Sequence, residues 1–297
     1  MMAVPSAVRI VAPVVGGYAI QWYQNNSGLT SGEALVTAVR ICWGVALLTG
    51  FLVAYLRLHY LKETITEEEM GEPFRFSQIP RMIIPSYRSI LGSVKWMSPS
   101  LKVIVAIEMF TAFFLAMSAP YYVVYAKTLV GLTEANWGLL LFISGLLGIV
   151  AALPLGRLVD RLGQKKMILV GMFIIPFCIY GFIHTTGFLS VALVMCGIIL
   201  CNNIMIPAFS TLIANMIPRS RRGRLYSLIG ERGISVNFGN FWGAGFLLFP
   251  PAALGAFAGG YFYSYSPTLL YTVTAAAMFI AAVMVYLYVK EPSVAEH

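Results

Sequence analysis

Charge is scarce in this chain, and negative charge is scarcest. Only 11% of its 297 residues are charged, whereas soluble domains carry about a quarter. Asp160 is the only aspartate among twelve acidic residues. So few solvated groups exclude an ordinary soluble enzyme. With 59% hydrophobic residues, the surface belongs largely in lipid. Histidine is nearly missing: His59, His184 and His297 leave little material for imidazole catalysis or metal binding. The four cysteines (Cys42, Cys178, Cys196 and Cys201) lie inside apolar stretches, with neither metal-type spacing nor a disulfide framework. Gly-x-Ser-x-Gly, His-Glu-x-x-His and P-loop patterns are absent. We therefore expect no enzyme activity, no cofactor and no metal.

Long apolar runs are what the sequence has in abundance. A membrane-crossing helix needs about 20 mostly apolar residues. Eight stretches qualify, near 3–23, 36–57, 102–125, 134–156, 166–184, 187–214, 234–263 and 268–289. The first has no basic region before Arg9 and no small-residue cleavage site, and Pro13, Gly16 and Gly17 interrupt it, so it is a span and not a signal peptide. The expected fold class is an all-α integral membrane protein.

Basic residues orient the layout, because lysine and arginine prefer the cytoplasmic side. With the segment 58–101 inside, eighteen of the twenty basic residues fall inside, and only Arg40 and Lys127 fall outside. The net charge of +8 is thus an orientation signal, not a nucleic-acid footprint. The expected location is the cell membrane, with a cytoplasmic C-terminus. The outer loop 24–35 carries Asn25-Asn26-Ser27, a short glycosylation-type pattern.

The inner segment is the one extended polar stretch. An acidic run of Glu67, Glu68, Glu69 and Glu72 precedes Ile79, Met82, Ile83, Tyr87, Ile90, Leu91 and Val94 at helical spacing. That pattern predicts an amphipathic helix at the membrane face, serving as a linker. Expected boundaries are 1–57 for two spans, 58–100 for the linker, 101–292 for six spans and 293–297 for a tail.

Polar groups inside spans are costly and often functional. Glu108 lies about two turns from the inner end of the third span, where it is either a proton or cation site or a carboxylate near the interface, paired locally or reached by water. Asn202 and Asn203 sit mid-span in the sixth, divided between cavity lining and helix bonding. Tyr121, Tyr122 and Tyr125 suit an aromatic belt. The stretch from Leu225 to Tyr263 is too long for one span. It carries Glu231, Arg232, Asn237 and Asn240 among glycines, with Pro250-Pro251 after them. Irregular backbone at membrane depth is tolerated where it is buried or lines a cavity. Glu231 and Arg232 are candidates for an inner gate. Gly239 to Gly243 and Gly255 to Gly259 offer small-residue spacing for close packing.

Between the fourth and fifth spans stands Gly156-Arg157-Leu158-Val159-Asp160-Arg161-Leu162-Gly163-Gln164-Lys165-Lys166. This resembles the loop signature of the major facilitator superfamily, and the single aspartate occupies the position that motif demands. Gly156 is expected to let helices approach, Gly163 to allow a sharp turn, and Asp160 to accept hydrogen bonds from helix N-termini or arginines. The resemblance implies helices five to twelve of a twelve-helix bundle, with the first four missing and the C-terminal six-helix half complete. Gly16-Gly17-Tyr18 recurs as Gly259-Gly260-Tyr261, and Lys62-Glu63 as Lys290-Glu291, in keeping with repeated halves. Ala12-Pro13-Val14-Val15-Gly16-Gly17 is similar to the end of the family's fifth-helix antiporter pattern, and equally to a helix-packing motif. The resemblance implies secondary active transport of a small solute by alternating access, coupled to protons or another ion, with the Asp160 loop latching the inner side. Two alternatives stand beside it: a half-transporter working with a partner chain or as an oligomer, and a receptor-like membrane protein that keeps the fold.

Overall fold

The fold is that of a computed structural model describing residues 3–60, 92, 97–217, 222–230, 233–236 and 245–289, with backbone alone at 3–9 and 224. Regular structure among these residues is helical. The chain runs through α1 (Ala3–Asn26), α2 (Ser31–Tyr60), α3 (Pro99–Ser118), α4 (Tyr121–Thr128), α5 (Glu134–Leu162) and α6 (Gln164–Phe182). It continues through α7 (Phe188–Met216), α8 (Arg222–Ile229), a 3-10 turn (Phe246–Leu248), α9 (Phe249–Tyr265) and α10 (Pro267–Tyr288). The amphipathic helix expected in the linker falls outside the described residues.

Short polar signals start the helices. Ser98 accepts from the Leu101 amide (3.3 Å) with Pro99 behind it. Thr133 accepts from Asn136 (3.2 Å) ahead of Glu134, and Ser266 accepts from Leu269 (3.3 Å) with Pro267 behind it. Each side-chain oxygen satisfies an amide that the first helical turn leaves unbonded, and proline costs nothing at the first helical position.

Seven of these segments, among the described residues, are long and apolar enough to cross a membrane; Ala3–Asn26 adds a 24-residue helix whose first side chains are not described. Two expected spans differ in form. The third breaks at Ala119-Pro120, where proline cannot donate to the preceding turn, and resumes as α4. The seventh is shorter than 234–263. Its helix begins at Phe246–Phe249, with Pro250 and Pro251 in its first turn.

A single core lies between α3, α6, α7 and α10, with Ile104, Ile168, Met172, Ile198, Met205 and Met278 fully buried. The helices flank it unequally. α9 packs on α3, α5 on α7, and α1 on α5. Two glycines of α9 explain how close that approach is. A Cβ added at Gly255 would stand 2.0 Å from the Phe113 carbonyl oxygen, and one at Gly259 2.2 Å from that of Met117. The spacing of these glycines therefore buries backbone against backbone, as small residues do in membrane helix pairs. α2 touches α1 through Ala34 and Ala38, and every residue from Arg40 to Tyr60 is exposed.

The bundle has a loop end, at the Gly163 turn between α5 and α6, and a far end, at residues 129–133. An aromatic knot closes the far end. Tyr122, Tyr125, Phe182 and Tyr271 meet with centroids 5.0–5.4 Å apart, and Tyr125 donates to the Ile183 carbonyl (2.9 Å). Tyr121 stacks on Tyr263 at 4.4 Å. Tyr122 and Tyr125 are thus core residues joining three helices, where an interfacial belt was expected. Their apolar ring faces find more contact inside the bundle than at its rim.

Candidate functional site

The first candidate feature is the seam between α1 and α5. Pro13 and Gly17 lie one turn apart on α1, and Glu134 and Gly138 one turn apart on α5. A Cβ on Gly17 would fall 2.6 Å from the Glu134 carbonyl oxygen, and one on Gly138 would fall 2.4 Å from that of Pro13. Further along, Gly145 meets Ile10, with 2.9 Å between the added Cβ and Cγ1. Gly17 is therefore a packing glycine. Gly16 is not: open space surrounds its missing side chain. The seam occupies the far-end half of α5 only. Towards the loop end Leu146, Ile149, Val150 and Leu153 are exposed.

A polar cross-link sits over the seam. Glu134 accepts from Gln24 of α1 (Nε2 to Oε1, 3.4 Å) and pairs with Lys127 of α4. One carboxylate thus touches three helices. Beneath it lies a cavity of about 520 Å³, walled by α1, α2, α4 and α5 and bordered by Gly16, Val39, Val123 and Trp137. The residues 24, 127 and 134 escaped the sequence analysis because each stands at a helix end, where polar residues are ordinary. The seven-residue interval from Gly138 to Gly145 was the available signal, since it puts both glycines on one face.

Glu108 is the second feature. It is 2% exposed, and neither carboxylate oxygen has a hydrogen-bond partner among the described residues. Its face of α3 continues through Thr111, Leu115 and Ser118, all buried. The neighbouring hydroxyls are occupied with backbone: Thr111 donates to the Glu108 carbonyl (3.1 Å), and Ser118 to Phe114 and Leu115 (both 3.3 Å). No local pairing of the Glu108 carboxylate is found among the described residues. A charge held here has no partner among the described residues to offset its desolvation.

Asn202 and Asn203 both bind backbone. Asn202 donates to the Val236 carbonyl (2.7 Å) and accepts from the Val236 amide (3.0 Å), pairing both polar groups of one residue in the irregular stretch before α9. Asn203 donates to the Gly148 carbonyl (3.1 Å), joining α7 to α5. Gly233, at φ +61°, packs directly on Phe209, with 2.4 Å between an added Cβ and the Phe209 Cβ. Irregular backbone therefore reaches the middle of α7 and is satisfied there by an amide, as membrane depth requires. Glu231, Arg232, Asn237, Asn240, Gly239 and Gly243 lie outside the described residues.

The charged loop closes the list. Gly163 takes φ +91°, a conformation open to glycine, and so makes the turn between α5 and α6. Lys165 donates to the Tyr286 carbonyl (3.3 Å) near the C-terminus of α10, where the helix dipole favours a cation. Arg157, Asp160, Arg161 and Lys166 are exposed. Two expectations change here. Gly156 faces open space and brings no helix closer. Asp160, on the exposed side of the last turn of α5, accepts no hydrogen bond among the described residues.

A family model described as Major Facilitator Superfamily matches residues 1–230 and, in a second placement, 104–297. No curated protein matches the chain.

Proposed function

This chain belongs to the major facilitator superfamily, and we propose that it moves a small solute across the membrane by alternating access, coupled to protons through Glu108. As a member of that family with many apolar helices it is a multi-pass membrane protein and a secondary transporter in general terms. The observation carrying the finer reading is the buried Glu108 carboxylate on α3, without a hydrogen-bond partner among the described residues. Binding a proton removes the cost of its charge, and releasing one needs a change of surroundings. That change would be the opening and closing of the bundle. In this reading the loop end is cytoplasmic, because most basic residues gather there. The far end is shut by the Gly17–Gly138 seam and the Glu134 cross-link, while α5 is exposed towards the cytoplasm. That asymmetry supports an inward-facing arrangement. Asp160 and its basic neighbours, exposed on the cytoplasmic side here, would engage when the inner side closes.

The test is proteoliposome flux. A panel of small solutes is applied as outward or inward gradients, and an entrapped pH dye reports proton movement. The proposal expects at least one solute to drive protons, and Glu108→Gln to abolish proton movement. Solute flux that retains its full pH dependence in Glu108→Gln would remove Glu108 from the mechanism.

A second reading, that the working unit contains more than one chain, has one observation in its favour. Phe257, Tyr261 and Tyr265 form a four-residue-spaced stripe on α9 that is 85%, 77% and 79% exposed. Cross-linking through a cysteine placed at Phe257 would distinguish a chain neighbour from lipid there.

A further inference from the structure

We infer that the proton bound at Glu108 travels to and from the far end of the bundle along a buried column of hydroxyl groups on α3, α4 and α10: Thr111, Thr274, Ser118, Tyr122, Tyr271 and Tyr125. The inference rests on the proton-coupled reading of Glu108 and names the route that serves it. Positions 108, 111, 115, 118, 122 and 125 fall three or four apart, so they form one stripe along the helix. The backbone stays helical through Ala119 and Pro120, so the stripe continues from α3 into α4. At about 1.5 Å per residue it runs for about 25 Å. Every position in it is buried, and only Leu115 lacks a polar side-chain group. α10 covers that gap. The Thr274 hydroxyl is buried and lies 3.5 Å from the Phe114 carbonyl oxygen, beside its bond to Leu270 (2.9 Å). The Ser118 hydroxyl stands 3.3 Å from the same Phe114 oxygen. Two hydroxyls from different helices thus meet at one carbonyl, between Thr111 and the far end.

Beyond Ser118 the column becomes aromatic. Tyr122, one turn on, interacts with Ser118. The Tyr271 ring lies 5.1 Å from that of Tyr122 and 5.4 Å from that of Tyr125. Tyr125 ends the column at the Ile183 carbonyl (2.9 Å), next to the exposed His184. Tyr271 carries the most weight. Its hydroxyl is buried and has no hydrogen-bond partner among the described residues. Phenylalanine would make the same ring contacts without an unsatisfied polar atom. A hydroxyl can accept a proton on a lone pair and pass on its own. After each passage every hydroxyl is neutral again, so none has to hold a charge at membrane depth. Where two stand more than a hydrogen bond apart, a water bridges them. The elements packed on α3 are α9 with its 3-10 turn and α10, and they carry no acid, base, histidine or cysteine. Their titratable groups are tyrosines. Tyr263 and Tyr271 belong to the far-end aromatic contacts, and Tyr261, Tyr265, Tyr286 and Tyr288 are exposed. Nothing on these elements competes with Glu108 for the proton.

The test follows the Glu108 carboxyl by infrared spectroscopy in the full chain reconstituted into lipid. Its band is identified by loss in Glu108→Gln, and the shift of that band after transfer to heavy water gives the rate of proton exchange. Tyr271→Phe and Thr274→Val each remove one hydroxyl and keep the packing volume. Each is expected to slow the exchange severalfold, and either suffices if the other fails to fold. Thr274→Ser restores a hydroxyl and should return the parent rate. Thr272→Val, at an exposed hydroxyl of the same helix, should leave the rate unchanged. A merely structural role gives the opposite sign, since a loosened bundle opens more often and exchanges faster. The parent rate in both Tyr271→Phe and Thr274→Val, with the band present, would overturn the column and leave Glu108 as the proton site. A parent with no Glu108-dependent carboxyl band at any pH would overturn the proton reading itself, and the column with it.

Discussion

Glu108 and Asn202 show opposite ways of keeping a polar side chain at membrane depth. Asn202 is fully used, its amide matching both polar groups of Val236. Asn202→Ala leaves a buried amide and carbonyl unpaired, at about 1–3 kcal/mol for each. A lowered melting temperature of the purified protein is the expected result, with Asn203→Ala milder because the Gly148 carbonyl lies inside α5 and keeps its place in the helical ladder. Glu108 has no such partner among the described residues, so replacing it behaves differently. Glu108→Gln keeps shape and volume and removes only the titration. We expect stability equal to or above that of the parent, with the pH dependence of flux lost. The sequence pointed to both residues, since any amide or carboxylate in an apolar run stands out. It could not say which was satisfied, because the partner of Asn202 is a backbone group 34 residues away, and backbone partners leave no mark on residue type.

Helices were legible as runs of apolar residues. The irregularities were less so. The break at Ala119-Pro120 and the late start of α9 both occur inside apolar stretches, where proline alone does not tell a kink from a first turn. Gly17 and Gly16 make the same point in one motif: adjacent in sequence, they face backbone and open space respectively, a difference of about 100° around the helix. The seam they help to form predicts a sharp contrast. Gly138→Val or Gly17→Leu drives a side chain into a carbonyl of the facing helix and should cost about 1–3 kcal/mol through overpacking. Gly44→Leu should be neutral. Thermal unfolding in one detergent checks the set. Glu134→Gln weakens the half-exposed Lys127 pair and keeps the amide contact to Gln24. Its effect on stability should be under about 1 kcal/mol, with a larger effect on how often the far end opens. Equal accessibility of a seam cysteine to a membrane-impermeant thiol reagent in Glu134→Gln and the parent would exclude the cross-link as a latch.

Among the described residues the molecule is a six-span bundle of one core, with α1 leaning on α5 and α2 leaning on α1. The family match covers both parts. Its two placements overlap between residues 104 and 230, which suits a family built from related halves. The expected orientation rests on the distribution of charge and the family resemblance on the loop around the lone aspartate, both properties of the whole chain that no single helix shows. The far-end closure needed the structure, because it arises from glycines and polar side chains meeting across helices more than 100 residues apart. On the proposed reading the α1–α5 seam opens and closes, and Glu108 biases it. The most direct measurement is the distance distribution between spin labels at Asn26 and Thr128, on either side of the far-end seam, with the native cysteines replaced and the protein in lipid nanodiscs. The account predicts a short and a longer population whose ratio changes between acidic and alkaline buffer, and a ratio insensitive to pH in Glu108→Gln. A single short distance under every condition, or a pH response that survives in Glu108→Gln, would contradict it.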